Sequence, residues 1–491
     1  MVNRVRNIIK LALLPLLIAV YPTLFHYANN VVITLLSSLW RMLVFNFLVA
    51  VIIYIIFLIF YSSSPIRASI AAFVFLTFFN SYGIIYSYLL KLDLIQIEHY
   101  SLLPVFILTS IYASWLIAKS NDVSLTRFWT TATLIAGVLV ILNVFRIIPH
   151  ELAKAQHTTL PVHTSVINSP SGQMYPDIYY IVLDEFSGLE PMREYWHYQG
   201  VNEFKQFLEK KGFFVAEQSH GMSIVTLYEL ATRLNYQDYP CCNELRTYFG
   251  AIANNRVMRY LKTKGYTTVT FDESESVFPT DLPMQADYSY ASAPPSTGSS
   301  GLLDDFGILV VNNTMLRAFS NIYEPLITVP AVKAHIDMLF FTLDKTKNLN
   351  EASSPKFVYI HLLLPHMPFI FDKNGTVITT TYNTNWNDYL GNYIFSLNYT
   401  EKMINNILSR ADPRRPPIII LQSDHGARNQ IYYGNEETLL QNFPEKFKTS
   451  ILFTLYIPGY DTSSLPQNIK PINTFPIVFN YLFKTDIPLR K

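Results

Sequence analysis

The sequence predicts a multi-span α-helical membrane domain followed by a soluble α/β domain, in which a mostly parallel sheet lies between helix layers. Half of the 491 residues are hydrophobic and only 15% are charged, whereas soluble domains carry about 25% charged residues. Residues 1–150 contain only nine basic and three acidic residues, so most charges lie in the remainder. That remainder alternates short β-branched runs with helical patterns, which is typical of a parallel sheet covered by helices.

The membrane domain is predicted from five apolar stretches, each close to the roughly 20 residues that a bilayer core requires. They are residues 8–25, 42–60, 69–90, 101–118 and 128–148. Almost no ionisable group falls inside them, whereas transporters usually carry such groups at depth. We therefore interpret the bundle as an anchor, or as a platform for lipid, rather than as a transport pathway.

Basic residues near the span ends predict the orientation, because cytoplasmic loops carry an excess of Lys and Arg. Six of them fall on the N-terminal side of the membrane and three on the other side. The six are Arg4, Arg6, Lys10, Arg67, Lys119 and Arg127, and the three are Arg41, Lys91 and Arg146. This predicts a cytoplasmic N-terminus in an inner or plasma membrane. After five spans, the soluble domain is expected to be periplasmic or extracellular.

The predicted domains are a membrane domain at 1–148, a polar linker at 149–175 and a soluble domain at 176–491. A net charge of +1 indicates no nucleic-acid partner. Cys241 and Cys242 are adjacent and cannot form a disulfide framework. We interpret them as buried small apolar residues, with a vicinal disulfide or a metal contact as alternatives.

Strands and helices alternate along the soluble domain. The predicted strands are residues 178–183, 213–215, 267–271, 357–363, 418–421 and 451–457. The predicted helices are residues 202–211, 226–234, 255–264 and 393–408. Ligands bind at the carboxyl ends of the strands in sheets of this kind. Polar residues that directly follow strands are therefore the candidates for a functional site.

Three of these strands end in polar residues of the types that serve as metal ligands. Asp184 follows the first strand, and the strand at 357–363 contains His361 and leads to His366. Asp424 and His425 follow a third strand. Burying such residues unpaired costs free energy, and a divalent ion would stabilise them. Oxygen ligands with one imidazole suit Zn²⁺, Mn²⁺ or Mg²⁺, and the sequence does not select among them.

A candidate nucleophile stands at the start of a predicted helix. Thr226 begins this helix, at the end where the helix dipole favours anions. A hydroxyl here can act as a nucleophile when a metal lowers its pKa. The alternative is that Thr226 only caps the helix, and the local sequence alone favours that alternative.

Together these segments resemble the alkaline-phosphatase/sulfatase superfamily, and within it the membrane-anchored phosphotransferases that include lipoteichoic acid synthases and lipid A phosphoethanolamine transferases. The resemblance covers nearly the whole chain, and it implies an alkaline-phosphatase/sulfatase-like fold for the soluble domain. The matching segments are residues 176–184, 226–235, 361–369, 421–426 and 472–480, behind five spans.

The resemblance implies a role for each matching residue. Asp184, Asp424 and His425 would bind one divalent metal ion. Thr226 would be both a metal ligand and the catalytic nucleophile. His366 would contact the phosphoryl oxygens or assist the leaving group.

Two further residues are candidates for substrate binding. His361 would contact substrate, although its strand position also fits a buried structural histidine. Arg428 would meet a substrate phosphate, with a solvated or salt-bridged arginine as the alternative, and the same choice applies to Arg233. The predicted soluble domain at 176–491 lacks the Cys/Ser-x-Pro-x-Arg segment from which sulfatases mature their nucleophile, so sulfate ester hydrolysis is disfavoured.

The predicted function is a phosphotransferase that moves the head group of a phospholipid donor to an envelope glycan or glycolipid acceptor through a phospho-threonine intermediate. A membrane tether favours a lipid donor because it raises the donor's effective concentration. One alternative is a sulfatase-like phosphodiesterase or hydrolase with water as the acceptor. The other is a non-catalytic module that binds or assembles envelope glycans.

Overall fold

The structure is a computed structural model of the chain. The residues that it describes are 2–31, 34–92, 98–157, 175–239, 245–271, 283–292, 304–380, 383, 385–427 and 444–490. The predictions for Cys241, Cys242, Arg428 and the linker residues 158–174 lie outside the described residues. Two compact units are present. The helical unit is drawn from residues 1–160 and 296–327, and the sheet unit from residues 161–295 and 328–491.

The helical unit begins with long apolar helices. They are α1 (Val2–Leu11), α2 (Leu13–Asn30), α3 (Leu36–Phe60), α4 (Pro65–Lys91), α5 (His99–Lys119) and α6 (Asp122–His157). Each of the five predicted spans lies inside a helical stretch that is long and apolar enough to cross a membrane. Helix α6 continues beyond residue 148, where the sequence placed the start of an extended linker. Its last turns pack against α2, since the Tyr27 hydroxyl donates to Oε1 of Glu151 at 2.8 Å.

The chain after residue 175 supplies the remaining elements. In chain order they are β1 (Ile178–Leu183), α7 (Leu189–Glu194), α8 (Gly200–Lys210), β2 (Phe214–Ala216), α9 (Thr226–Asn235), α10 (Leu245–Ala253), α11 (Arg256–Thr263), β3 (Thr267–Phe271), β4 (Tyr288–Tyr290), α12 (Asp305–Asn312), α13 (Ser320–Lys345), β5 (Lys356–Leu362), α14 (Tyr389–Arg410), β6 (Ile418–Ser423), α15 (Glu445–Lys448), β7 (Phe453–Tyr456) and α16 (Thr474–Phe483). A 3-10 turn, Met315–Phe319, lies between α12 and α13.

The described strands form one seven-stranded sheet in the order β2-β7-β6-β1-β5-β3-β4. β1 pairs parallel with β5 and β6, and β3 pairs parallel with β5 and β4. Only β7 runs against its neighbours, β6 and β2. The predicted mostly parallel sheet is therefore confirmed.

Alternate residues of the central strand face opposite helix layers, as the period of two in a strand requires. Ile181 and Leu183 pack with residues of α7, α8, α13 and α14. Tyr180 and Val182 pack with residues of α9, α10, α11 and α16. Both faces of β1 are buried, which explains its continuous apolar run and confirms a sheet between helix layers.

A sixth helical stretch, Met315–Lys345, is also long and apolar enough to cross a membrane. The sheet topology excludes a crossing. β1 and β3 precede this stretch and β5 and β6 follow it, yet all four are neighbours in one sheet. A crossing would separate them by a bilayer. The second half of α13 instead packs in the sheet unit, where Val332 and Leu339 are buried and Tyr399 donates to the Leu339 carbonyl oxygen at 2.6 Å.

Candidate metal centre and active site

The carboxyl ends of β1, β5 and β6 meet at one edge of the sheet. β1 stays in register with both neighbours up to Leu183, so Asp184 lies beside Asp424, the residue that follows β6. His361 is the next-to-last residue of β5. Ligand atoms of Asp184, His361 and Asp424 all lie within 4.8 Å of one another, and the three side chains are buried. Two carboxylates and an imidazole in this arrangement are the ligand types of divalent metals.

The two carboxylates are only partly satisfied by protein donors. Oδ1 of Asp424 accepts the backbone N–H groups of Glu185, at 3.0 Å, and of His425, at 2.7 Å. Among the described residues, Oδ2 of Asp424 and Oδ1 of Asp184 have no hydrogen-bond partner, although both atoms are buried. Leaving buried carboxylate oxygens without a partner costs free energy. These two oxygens are therefore where a cation fits.

The two ring nitrogens of His425 have different surroundings. Nδ1 lies 2.7 Å from the carbonyl oxygen of Gly426, which makes Nδ1 the protonated donor. When the ring is neutral, Nε2 presents its lone pair, 3.2 Å from Oδ2 of Asp424 and 3.8 Å from Oδ1 of Asp184. Three electron-rich atoms at these distances repel one another unless a cation neutralises them. A metal-binding histidine typically donates its other N–H in this way.

Neighbouring histidines keep Asp184 ionised. Burial raises the pKa of Asp184, but His366, His361 and His425 together outweigh burial and hold this pKa below the usual range of an aspartate. Nε2 of His361 lies 3.4 Å from Oδ2 of Asp184. The carboxylate is therefore in the deprotonated form that metal binding requires.

Thr226 lies beside this cluster, at the N-terminus of α9. The N-cap position belongs to Val225, so Thr226 is the first helical residue and not the cap. Its Oγ1 is 3.3 Å from Nε2 of His425. When the His425 ring is neutral and carries its proton on Nδ1, the hydroxyl donates to Nε2. Thr226 is half-buried, so part of the residue is exposed to solvent.

A carboxylate on the same helix holds the loop that leads to Thr226. Oε1 of Glu229 accepts the backbone N–H groups of Met222 and Ser223, both at 2.6 Å. Glu229 is buried and lies less than one turn after Thr226. The approach of the chain to Thr226 is thus fixed by hydrogen bonds to a carboxylate.

Arg233 joins this helix to the segment that follows β6. Its guanidinium is fully buried, and Nη2 and Nε lie 2.9 and 3.2 Å from Oε2 of Glu229. Nη1 donates to the Ser423 carbonyl oxygen at 2.6 Å, and Nη2 donates to the Asp424 carbonyl oxygen. Burial lowers the pKa of Arg233, but Glu229 and the other negative groups outweigh burial and raise it. This is the salt-bridged alternative for Arg233, which positions the site instead of meeting substrate.

Close packing also fixes the backbone after His425. A Cβ on Gly426 would lie 2.3 Å from the carbonyl oxygen of Phe447 and 2.6 Å from that of Ser450. The Gly426 N–H donates to the Lys448 carbonyl oxygen at 2.9 Å. Only glycine can therefore pass this point without moving the adjacent ligand-type residues.

Glu185 adopts a left-handed backbone conformation, with φ at 58°, which is uncommon for a residue with a Cβ. Two hydrogen bonds hold it there. Its N–H donates to Oδ1 of Asp424 at 3.0 Å, and its carbonyl oxygen accepts the Tyr389 hydroxyl at 2.9 Å. The unusual backbone thus aims the Asp424 carboxylate, as strained residues at functional sites often do.

His366 lies next to the cluster and is more exposed than the other two histidines. Its backbone N–H donates to the Asp184 carbonyl oxygen at 3.2 Å, and Nδ1 lies 2.6 Å from the Met367 carbonyl oxygen. Nε2 lies 3.8 Å from Oε2 of Glu185, and the side chain is 19% exposed. This ring can therefore exchange protons with a bound substrate or with solvent.

The structure brings together most of the residues that the sequence singled out. Five form or touch one cluster and His366 adjoins it, whereas Arg428 lies outside the described residues. The five are Asp184, Thr226, His361, Asp424 and His425. Sequence reasoning missed the positioning role of Glu229 and Arg233. The available signal was their four-residue spacing on the helix that Thr226 begins.

A family model described as Sulfatase matches residues 176–449, more than half of the chain. The chain belongs to the sulfatase family. No curated protein matches its sequence. Family membership confirms the predicted superfamily and the predicted enzyme class. Together with the helices and the sheet, it identifies a multi-pass membrane enzyme of this family.

Solved structures of other proteins resemble this sulfatase-family chain remotely. One is the integral membrane lipooligosaccharide phosphoethanolamine transferase A (EptA) from Neisseria meningitidis, at 13% identity and a TM-score of 0.41, covering 96% of this chain and 95% of that chain. Another is the lipoteichoic acid synthase LtaP from Listeria monocytogenes, at 14% identity and a TM-score of 0.37, covering 67% of this chain and 77% of that chain. A third is the C-terminal periplasmic domain of EcEptC from Escherichia coli, at 13% identity and a TM-score of 0.39, covering 64% of this chain and 84% of that chain.

Proposed function

We propose that this sulfatase-family enzyme is a membrane-anchored phosphotransferase. In this proposal it takes the phosphorylated head group of a phospholipid onto Thr226 and passes the group to a hydroxyl of an envelope glycan or glycolipid. The soluble domain lies outside an inner or plasma membrane, and the N-terminus is cytoplasmic.

One observation carries the proposal. A hydroxyl at the N-terminus of a helix, Oγ1 of Thr226, lies 3.3 Å from Nε2 of His425, which in turn faces the buried oxygens of Asp184 and Asp424. Covalent catalysis needs a positioned nucleophile next to groups that activate it. A helix N-terminus also favours the negative charge of a phosphoryl group.

In the first half-reaction, Thr226 is the nucleophile and His366 is the proton donor. Oγ1 of Thr226 attacks phosphorus, the bond from Thr226 oxygen to phosphorus forms, and the bond from phosphorus to the diacylglycerol oxygen breaks. The half-buried Thr226 hydroxyl gives up its proton to solvent, and the departing diacylglycerol oxygen takes up one proton. His366, whose side chain is 19% exposed beside the cluster, is the group that supplies that proton.

The second half-reaction reverses these roles. A hydroxyl of the acceptor attacks the phosphorus on Thr226, the acceptor oxygen loses a proton and Thr226 regains one. Asp184, Asp424 and His425, with Thr226, would hold one divalent ion, and His361 lies within reach of the same carboxylates. Such an ion supplies charge that stabilises phosphoryl oxygens and lowers the pKa of a bound hydroxyl. Phosphoryl transfer depends mainly on such positioning and charge stabilisation.

The membrane anchor supports a lipid donor. A soluble unit tied to a bilayer meets membrane lipids at a far higher effective concentration than free metabolites. The lack of the sulfatase maturation segment in residues 176–491, which contain the candidate site, favours phosphoryl over sulfuryl transfer.

The test is an assay of the full-length protein in mixed phospholipid micelles, with Mn²⁺ or Zn²⁺, that follows diacylglycerol and the fate of a radiolabelled head group. The expected result is diacylglycerol release, with the label recovered on an added glycan or glycolipid acceptor. Thr226→Ala should abolish both signals. Thr263→Ala removes an exposed helical hydroxyl that donates to the Tyr260 carbonyl oxygen, and it should keep them.

Two outcomes would contradict transfer. Diacylglycerol release with the label found only as free head-group phosphate, at every acceptor tried, would establish the hydrolase. Absence of release with every metal would favour a non-catalytic module.

A further inference from the structure

Residues 304–327, here called the docking segment, leave the sheet unit and return to it. They belong to the helical unit, although the strands before and after them belong to one sheet. The segment therefore approaches the membrane bundle and leaves it on the same side. It cannot cross the bilayer, yet it contains α12 and the start of α13, which are apolar.

Apolar side chains bury the docking segment among the spans. Phe306 and Val310 of α12 pack in a cluster with Tyr27 of α2 and Met42 of α3. Met315 packs in a second cluster with residues of α4 and α5. Chain direction places the end of α2, the start of α3, the end of α4 and the start of α5 on one side of the membrane. The segment therefore docks at a single end of the bundle.

Polar contacts pin both ends of the docking segment. Asp304 forms an ion pair with Arg41 of α3. At the other end, Nη1 of Arg317 donates to the Gly83 carbonyl oxygen at 3.0 Å and to the Ser87 hydroxyl at 2.6 Å. Arg41 was one of the three basic residues on the minority side in the orientation count, and its acidic partner explains why a positive charge is tolerated there.

Backbone contact at Gly83 is the tightest point of this docking. The Gly83 N–H donates to the Asn313 carbonyl oxygen at 3.0 Å. A Cβ on Gly83 would lie only 1.9 Å from the carbonyl oxygen of Asn312, so any side chain would push the segment away. Gly137 on α6 is a matched control, because a Cβ there meets nothing within 4 Å.

The docking segment also presents an apolar stripe outward. Phe319, at the end of the 3-10 turn, and Ile322 and Leu326 of α13 are 47%, 66% and 73% exposed, and their spacing places them on one face of this continuous helical stretch. Nearby on α4, Ile84 and Tyr88 are 53% and 62% exposed, adjacent to the residues that bind Arg317. The stripe therefore continues the apolar exterior that α4 turns toward lipid.

We propose that the docking segment is a re-entrant element of the membrane domain whose stripe, Phe319, Ile322 and Leu326, contacts the acyl chains of the bilayer leaflet at the end of the bundle where the segment docks. Continuity with the exterior of α4 selects lipid as the occupant, and large apolar side chains at such density are unfavourable in water. The proposal stands independently of the proposed phosphotransfer.

The test is the accessibility of spin labels in the full-length protein, reconstituted in phosphatidylcholine and phosphatidylglycerol vesicles. Labels are placed by Ile322→Cys and Leu326→Cys, with Cys241→Ser and Cys242→Ser in the background. Leu108→Cys, on α5 and 65% exposed, is the lipid reference. Val377→Cys, in the sheet unit and 40% exposed, is the aqueous reference.

We expect that oxygen, which partitions into lipid, relaxes the labels at 322 and 326 more than a water-soluble nickel chelate does. The lipid reference label at 108 should show the same order. A nickel-dominated profile like that at 377 would overturn the proposal. Low accessibility to both reagents would also overturn it, because the stripe would then be covered by protein.

A second variant tests the docking itself. Gly83→Ala should shift the label at 322 toward the aqueous profile, whereas Gly137→Ala should leave it unchanged. The docking described here would be wrong if the label at 322 gave the lipid profile both with Gly83 and with Gly83→Ala. If Gly83→Ala does not fold, the labelled chain that keeps Gly83 still tests lipid contact.

Discussion

Two arginine–carboxylate ion pairs, one in each unit, each hold a chain segment in place, but they differ in their exposure to solvent. In the sheet unit, the Arg233 and Glu229 side chains are 0% and 2% exposed. In the helical unit, the Arg41 and Asp304 side chains are 22% and 11% exposed. Arg233 and Glu229 lie one turn apart on α9, and Arg233 also bonds the segment after β6, whereas Arg41 and Asp304 join two segments that are distant in sequence. The first holds the backbone around the candidate nucleophile and metal ligands, and the second holds the docking segment.

The difference between the pairs lies in what else each arginine bonds. Arg233 also holds the carbonyl oxygens of Ser423 and Asp424, so its loss would leave several buried groups without partners. Arg41 lies nearer to solvent, and water can replace part of its ion pair. Burial therefore decides how much each pair matters, since removing one partner of a buried pair leaves an uncompensated charge.

The largest effect is expected from Arg233→Ala. It leaves Glu229 buried without its counter-charge, and breaking such a pair costs about 3–5 kcal/mol of unfolding free energy. Because the Asp424 backbone is released as well, metal affinity should fall at least about tenfold, a loss of about 1.4 kcal/mol. Thermal unfolding and calorimetric metal titration measure the two effects.

Arg259→Ala is the matched control, because Arg259 is exposed on the neighbouring helix α11 and such surface substitutions stay within about 0.5 kcal/mol. An Arg233→Ala protein with unchanged metal affinity would show that the pair stabilises the fold without positioning the site.

Intermediate effects are expected at Asp304, which forms the ion pair with Arg41 and also caps α12. Its Oδ1 accepts the Gly307 N–H at 2.8 Å. Asp304→Asn keeps a hydrogen-bond acceptor for the helix cap but loses the negative charge. It should therefore lower the free energy of unfolding by less than about 1 kcal/mol. Asp304→Ala removes both the cap acceptor and the charge, and it should lower the free energy of unfolding by about 1 kcal/mol more. Thermal unfolding of the full chain separates the two, and equal losses would refute the capping role.

The smallest effect is expected at Glu217, which sits between Arg193 and Lys205 on the surface of the sheet unit. Burial raises the pKa of Glu217, but hydrogen bonds from Lys205 and Arg193 outweigh burial and lower it. Because the folded-state pKa is lowered, the stabilisation is full above the ordinary glutamate pKa and is lost as the pH falls through the folded value. Glu217→Gln should lower the free energy of unfolding by at most about 1 kcal/mol at neutral pH.

The pH dependence of that loss is the check. The difference in unfolding temperature between wild type and Glu217→Gln should shrink as the pH falls below the ordinary glutamate value of about 4.3. A difference that grows on acidification would contradict the sign derived from the lowered pKa.

Local patterns were enough to predict much of the molecule. Hydropathy marked the five spans, because a bilayer core demands long apolar runs whatever the tertiary fold. The acids after β1 and β6 were found because parallel strands bring their carboxyl ends to one edge. Asp184, Asp424 and His425 were therefore placed together from sequence.

The features that could not be predicted from local sequence patterns depend on tertiary contacts. The apolar run of α12 is as short as an ordinary core helix, so nothing local indicates that it docks among membrane spans. Arg233 has the same local pattern whether it meets phosphate or Glu229. His361 faces Asp184 only because the register pairs it with Val182. The role of His361 stays a prediction.

The central claim is that Thr226 carries the phosphorylated head group as a covalent intermediate. Intact-protein mass spectrometry of the full-length protein in detergent, with Mn²⁺ or Zn²⁺ and mixed phospholipids, tests it most directly. The account predicts an added head-group phosphate on wild type that peptide mapping assigns to Thr226, and no adduct on Thr226→Ala. An adduct that persists on Thr226→Ala, or diacylglycerol release that this variant retains, would contradict the account.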